Sequence, residues 1–197
     1  MTPQAEAVLE LFRETGAYLQ GHFRLTSGLH SGEYLQSALV LRHPPAAEKL
    51  GRLLAQELRK IIRSTPTVVV SPALGGLIIG HEVARALGTP FLFTERDPDT
   101  RQMSLRRGFT VQPGDTAVVV EDVITTGGST ADVVEVLTKA GATVLGAGSI
   151  IDRSGGRAQV GVPRVALATL QVAAHYPQDC PMCREGIPAV KPGSRPT

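Results

Sequence analysis

The sequence has no tryptophan, and aromatic residues make up only 4% of its 197 positions. That shortage says little about function, but the other absences exclude more. Two cysteines occur, Cys180 and Cys183, both in one C-P-M-C, so a disulfide framework is ruled out. The formal net charge is +2 and no polybasic run exceeds three residues, which offers nothing for a nucleic-acid backbone to bind. No apolar stretch is long enough to span a bilayer, so no membrane partner is expected. The first residues, MTPQAEAVLELF, carry acids where a secretory leader needs a basic start, and a cytoplasmic location is expected. A chain of this length suits one domain, residues 1–197, with room for a small subdomain.

What is present centres on residues 118–130, VVVEDVITTGGST. A β-branched run ends in two adjacent carboxylates, Glu121 and Asp122. Thr125, Thr126, Gly127, Gly128 and Ser129 form a polar loop, and Val133, Val134, Val136 and Leu137 then mark one side of an amphipathic run over 131–139. The order is strand, loop, helix. A loop rich in Gly, Ser and Thr at a helix start presents free N–H groups and the positive end of the helix dipole, and both attract phosphate. Carboxylates beside a phosphate are repulsive unless they serve something else. They are natural acceptors for ribose hydroxyls, and a nearby Mg²⁺ tolerates them. Together these are the parts of a ribose-phosphate site. The alternative is purely structural, with Asp122 and Thr125 capping a helix and the glycines making a tight turn. No G-x-x-x-x-G-K-[ST] occurs, and no G-x-G-x-x-G, so neither a Walker A loop nor a dinucleotide fingerprint is indicated.

The rest of the chain supplies elements around this centre. Residues 3–15 read as a helix with Val8, Leu11 and Phe12 on one face, Pro3 in its first turn and Gly16 at its end. Residues 17–25 and 34–41 are expected strands flanking a polar loop over 26–34, and they make a small hood, about residues 16–42; for the loop, a simple hairpin connection is the alternative. Residues 44–62 form an amphipathic helix with a stripe of Leu50, Leu53, Leu54, Leu58, Ile61 and Ile62. TVVVS, residues 67–71, reads as a buried parallel strand. P-A-L-G-G follows, then a helix over 77–87, so this second strand–loop–helix unit suits either a second anion or close helix–strand packing. A third strand, 90–94, precedes the polar segment ERDPDTRQMSLRRG over 95–108. Its arginines, Arg96, Arg101, Arg106 and Arg107, suit either a loop that orders over pyrophosphate or a solvated hairpin. A strand over 143–151 ends at Asp152-Arg153, where an arginine can grip a planar carboxylate bidentately or simply occupy a surface turn. A last strand, 165–170, leads into a coil over about 171–197 that holds five prolines. The CxxC in that coil is half a zinc site, to be completed by a dimer mate or by His175, or else two reduced thiols.

The string over 118–130 closely resembles the signature with which type I phosphoribosyltransferases bind phosphoribosyl pyrophosphate (PRPP). FRLTSGLHSGEYLQ, residues 23–36, resembles the hood phrase of the family's orotate branch at Phe23, Leu25, Ser27, Gly28 and Ser31. The resemblance implies an open parallel α/β sheet flanked by helices and topped by the hood. It implies Mg²⁺ dependence, with the ion held through PRPP and water near Glu121 and Asp122. PRPP would contact Arg96, Glu121, Asp122, Val123, Ile124, Thr125, Thr126, Gly127, Gly128 and Ser129, with Arg96 and Asp122 the catalytic pair. Orotate would contact Thr125 and Arg153. A homodimer in which the 95–108 loop serves the partner's site is implied as well. The chain departs from the pattern in three places: Thr26 and Gly75 stand where lysines are common, and the 95–108 loop has neither Lys nor His. Arginine stabilises pyrophosphate charge but does not readily give up a proton. A purine phosphoribosyltransferase and a non-catalytic PRPP sensor are the rival readings.

Overall fold

The computed structural model describes residues 2–25 and 27–192. Helix α1, Pro3–Glu14, starts where the Thr2 hydroxyl accepts the Ala5 N–H at 3.2 Å, and the chain leaves it through Gly16 at φ +67°. Strands β1, Tyr18–Arg24, and β2, His30–Leu35, pair antiparallel. Then follow α2 (Ser37–Leu41), α3 (Pro44–Ile61), β3 (Val68–Pro72), α4 (Gly76–Leu87), β4 (Phe91–Arg96), β5 (Met103–Leu105) and β6 (Thr116–Ile124). The chain continues through α5 (Gly128–Lys139), β7 (Thr143–Asp152), β8 (Arg164–Thr169), β9 (Ala174–His175) and the short α6 (Pro181–Arg184).

The main sheet has six strands in the order β5-β4-β3-β6-β7-β8. All its pairings are parallel except the edge pair β4–β5. The valine-rich runs are central strands buried on both faces, as period-two alternation directs. Val69, Val118 and Val120 face a core with α1, α3 and α4. Val68, Val70 and Val119 face the opposite core with Val133 and Leu137 of α5. In α3, Leu50, Leu54 and Leu58 are fully buried, each worth about 1.5–3 kcal/mol of transfer free energy. The expected parallel sheet with helices on both faces is therefore the observed one.

Two expectations need correction, those for residues 34–41 and for the tail. Residues 34–41 are not a strand: β2 starts at His30 and ends at Leu35, and Ser37–Leu41 form the helical turn α2. Leu39 packs against the core beside Val40 and Leu41, and a one-turn helix is too short to show a period. The polar 95–108 segment is a hairpin in which Thr94, Glu95 and Arg96 face Leu105, Ser104 and Met103. The tail is more than coil, since β9 adds to β2 as the third strand of the hood sheet. Within the tail, the cysteines meet His22 and His30 rather than His175. Thr26, where a cation was noted as missing, lies outside the described residues.

Candidate active site

Loops at the carboxyl ends of β3, β6 and β7 open toward the hood, where an open α/β sheet binds ligands. The cleft has two lobes that share Leu25, Tyr34, Gln36 and Asp122. One lobe, about 660 Å³, is bounded by the hood, by Leu74, Gly75 and Ile78 at the start of α4, and by Lys191 and Pro192 of the tail. The other, about 410 Å³, lies against Thr125, Thr126 and Arg153.

Between β6 and α5 the backbone turns at Gly127, φ +88°. A Cβ there would meet Val160 Cγ1 at 2.9 Å, so both space and backbone conformation call for glycine. Helix α5 begins at Gly128 rather than at residue 131. Its first N–H groups, unpaired within the helix, therefore lie immediately after the hydroxyls of Thr125 and Thr126.

In the β3–α4 loop, two glycines serve different ends. A Cβ on Gly76 would meet Ser71 Cβ at 2.9 Å, whereas one on Gly75 would meet Asp122 Oδ1 at 2.6 Å. Gly76 therefore allows close helix–strand packing. Gly75 brings backbone against the Asp122 carboxylate, which a side chain at the position where the family resemblance leads one to look for a lysine would have to displace.

Asp122 is pushed upward by burial, against the pull of the Val123 backbone N–H. Glu121 is pushed up to about 7 by burial, and the Asp122 charge adds to the rise; the Thr130 hydroxyl, which donates to Glu121 Oε2, opposes it. Adjacent carboxylates that hold protons so firmly are relieved by a cation or by hydroxyl donors, and this donor set fits both. The sign of the pH dependence follows. Glu121 binds its proton more tightly in the folded chain, so its ionisation removes stability as pH rises from about 4.5 through about 7. The melting temperature of the ligand-free protein should fall over that window, through a loss of up to about 3 kcal/mol. Glu121→Gln should flatten the slope, as thermal melts at constant ionic strength will read.

Arg153 reaches the second lobe because its N–H donates to the Ile124 carbonyl at 2.8 Å, tying the ends of β6 and β7 together. Asp152 fixes the turn: its carboxylate accepts from Ser154 N–H at 2.7 Å, from Ser154 Oγ at 2.6 Å and from Arg164 Nη1 at 2.6 Å. Burial raises the Asp152 pKa, but these contacts outweigh it and hold the carboxyl below its usual range. Arg153 has no such hydrogen-bonded partner among the described residues, and Glu33 acts on it only through space. Its Nε is buried without a hydrogen bond among the described residues, and burial lowers its pKa.

Arg96 is elsewhere. It pairs with Asp132 at 2.6 Å and donates to the Arg101 carbonyl at 2.8 Å, in a surface recess that also includes Lys139. Arg107 is held by Glu95 at 2.7 Å. The structure thus gathers Asp122, Val123, Thr125, Thr126 and Arg153 around one lobe and leaves Arg96 outside it. Sequence reasoning missed Lys191, Arg24 and Gln36 at the cleft. A lysine in a proline-rich tail carries no periodic signal.

The Asp122 carboxylate with Glu121 beside it in sequence, a hydroxyl-rich helix start and an arginine with a buried, unpaired Nε at one cleft suit an enzyme that handles a sugar phosphate together with an anionic co-reactant. The model of the phosphoribosyl transferase domain matches residues 37–168, and the chain belongs to that family. The orotate phosphoribosyltransferase of Pelotomaculum thermopropionicum is 52% identical over 190 residues, 96% of this chain and 97% of that protein. That of Heliobacterium modesticaldum is 50% identical, over 96% of this chain and 98% of that protein. The crystal structure of orotate phosphoribosyltransferase from Aeropyrum pernix aligns with a TM-score of 0.66 at 29% identity, over 83% of this chain and 94% of that one. No helix among the described residues is long and apolar enough to cross a membrane.

Proposed function

We propose that the protein transfers the phosphoribosyl group of PRPP to orotate, giving orotidine 5′-monophosphate and pyrophosphate, a step of pyrimidine nucleotide synthesis. The carrying observation is Arg153. A half-buried arginine whose Nε is buried without a hydrogen bond among the described residues, lining the same lobe as Thr125 and Thr126, suits a base that bears a carboxylate and leaves a neutral purine without a counter-charge.

The residues divide the work. Residues 125–129 and the start of α5 hold the 5′-phosphate, with Val123 and Ile124 shaping the strand end beneath it. Glu121 and Asp122 accept hydrogen bonds from the ribose hydroxyls and orient the sugar. Mg²⁺, which this family uses with PRPP, would sit near these carboxylates through PRPP and water and supply charge neutralisation at the pyrophosphate. Arg153 and Thr125 fix orotate so that its ring nitrogen faces the anomeric carbon. As the C–N bond forms, the C–O bond to pyrophosphate breaks with its electron pair on that oxygen, and the proton of the ring nitrogen passes to the departing pyrophosphate. Catalysis then rests on positioning and on stabilising an oxocarbenium-like carbon.

Arg96 reaches a leaving pyrophosphate only from a second chain, so the reading includes a homodimer with a shared loop. Leu74, 81% exposed, and Ile78, 46% exposed, leave apolar surface at the cleft rim for such a neighbour. A cytoplasmic location completes the proposal. Arg96→Ala and Asp122→Asn, each nearly inactive, should complement when refolded together. Half of the dimers would be mixed and each would hold one intact site, restoring about a quarter of wild-type activity. Activity no higher than the sum of the two variants would sink the shared loop. The function itself is tested by orotate absorbance. Loss that needs PRPP and Mg²⁺ and is stopped by EDTA supports it, and no loss despite PRPP binding moves the reading to a purine base or a sensor.

A further inference from the structure

We propose that His22, His30, Cys180 and Cys183 form a tetrahedral Zn²⁺ site that clamps the C-terminal segment to the hood. One ligand atom from each of the four residues lies within 4.8 Å of all the others. His22 Nε2 is 2.7 Å from His30 Nδ1, 3.5 Å from Cys180 Sγ and 3.8 Å from Cys183 Sγ, and Cys183 Sγ is 3.2 Å from His30 Nδ1. Tetrahedral zinc with its usual bond lengths sets nitrogen–nitrogen separations of about 3.3 Å and nitrogen–sulfur separations of about 3.6 Å. The three nitrogen–sulfur separations, 3.2, 3.5 and 3.8 Å, bracket that value, and the two nitrogens, at 2.7 Å, need move apart by only about 0.6 Å to admit the ion.

The local structure explains how residues so far apart in sequence meet. His30 on β2 is paired with Arg24, which puts His22 diagonally across the β1–β2 ladder from it. The register slips between Gln20 and Phe23, at the position of His22, where a bulge re-aims a side chain. Cys180 precedes α6 and Cys183 lies within it, so one helical turn brings both sulfurs to the same side. His22, His30 and Cys180 are buried while Cys183 is exposed, which leaves one side open for a metal to enter.

The protonation pattern separates a metal site from ordinary hydrogen bonding. His22 Nδ1 lies 2.6 Å from the Ile187 carbonyl. A carbonyl only accepts, so the ring proton is on Nδ1, and the Nε2 lone pair faces the cluster. This is the outer hydrogen bond that usually orients a metal-bound imidazole. Without a metal, that single lone pair is the acceptor for His30 N–H and for two thiol S–H groups, and it can satisfy only one of them well. A cation bound by two thiolates and two neutral imidazoles satisfies all four at once. Sulfur with nitrogen in tetrahedral array selects zinc over Mg²⁺ or Ca²⁺.

The clamp has a place in the fold. Beyond Cys183 the tail runs along β1, where Val190 donates to the His22 carbonyl and accepts from Arg24 N–H, each at 2.8 Å. Lys191 follows directly, at the larger lobe of the cleft. The metal would thus hold Lys191 beside Arg24, which offers the cleft a cation where Gly75 provides none.

The test uses the full chain without a polyhistidine tag, purified under reducing conditions. Metal analysis after dialysis should find about one zinc per chain. Cobalt exchanged into the site should give intense visible bands of tetrahedral Co²⁺ and a near-ultraviolet sulfur-to-metal band. Cys183→Ser should lose the zinc and the sulfur band. If that variant does not fold, the wild type still decides, because both thiols should resist a thiol reagent until a strong chelator is added. Immediate reaction of both thiols, no zinc retained against a micromolar chromophoric competitor, or an octahedral cobalt spectrum would each overturn the proposal. None of these readings depends on the transferase reaction, so failure here is separable from failure of the orotate reading.

Discussion

Replacing Arg153 with methionine should raise the KM for orotate by roughly two to three orders of magnitude while PRPP affinity stays within about threefold of wild type. The size follows from burial. A charge pair formed where solvent is excluded costs about 2–5 kcal/mol when one partner is truncated, much of it the cost of leaving the other charge unpaired. Arg153 Nε is already buried without a partner, and Asp152 is committed to Ser154 and Arg164, so nothing within its own turn neutralises it. Glu33 acts on the guanidinium only through space, so the incoming carboxylate is the first to hydrogen-bond its buried Nε. A second consequence separates a binding role from a structural one. Because burial disfavours the charged form, removing the charge should leave the ligand-free protein as stable as wild type or more so. A surface-turn arginine predicts neither effect. Steady-state kinetics with orotate varied, alongside a thermal melt, reads both, and an unchanged KM would remove Arg153 from the orotate site.

Much of this cleft was legible because its chemistry is local in sequence. Residues 118–130 hold a strand, an acidic pair, a loop and a helix start without interruption, and each has its own compositional mark. The sheet was legible for the same reason: Val68, Val69 and Val70, like Val118, Val119 and Val120, are β-branched runs too short for helices. What escaped depends on contacts between distant segments. Ser37–Leu41 reads as part of a strand because a single turn of apolar residues has no period to display. The hairpin that Glu95 and Arg107 close spans twelve positions, and Gly75 meets Asp122 from a different strand. His22 lies 158 positions from Cys180, so the CxxC was visible while the histidines that face it were not. Lys191 reaches the cleft only because the tail folds back along β1.

Asp122→Asn should lower kcat by about 100- to 1000-fold, the range seen when one preorganised electrostatic contact is removed from an active site, and should leave the fold intact. The substitution keeps the shape of the side chain, which matters because Gly75 backbone lies against it. It removes only the negative charge and one acceptor, both of which the sugar needs most as the anomeric carbon becomes positive. An interaction that strengthens toward the transition state shows in kcat more than in KM, so the PRPP KM should change far less than turnover does. Stability should move the other way. Burial raises the Asp122 pKa above its ordinary value of 3.8, so the ionised carboxylate destabilises the folded, ligand-free chain at any pH above that value. Asparagine removes that cost. At pH 7–8 the variant should therefore melt at or above the wild-type temperature, and the difference should vanish as pH falls toward 3.8. A slow enzyme that melts higher at neutral pH is the signature of a carboxylate kept for chemistry at the expense of the fold. Wild-type turnover would show that Asp122 does not act on the sugar, and a lower melting temperature would show that its charge is satisfied within the protein instead.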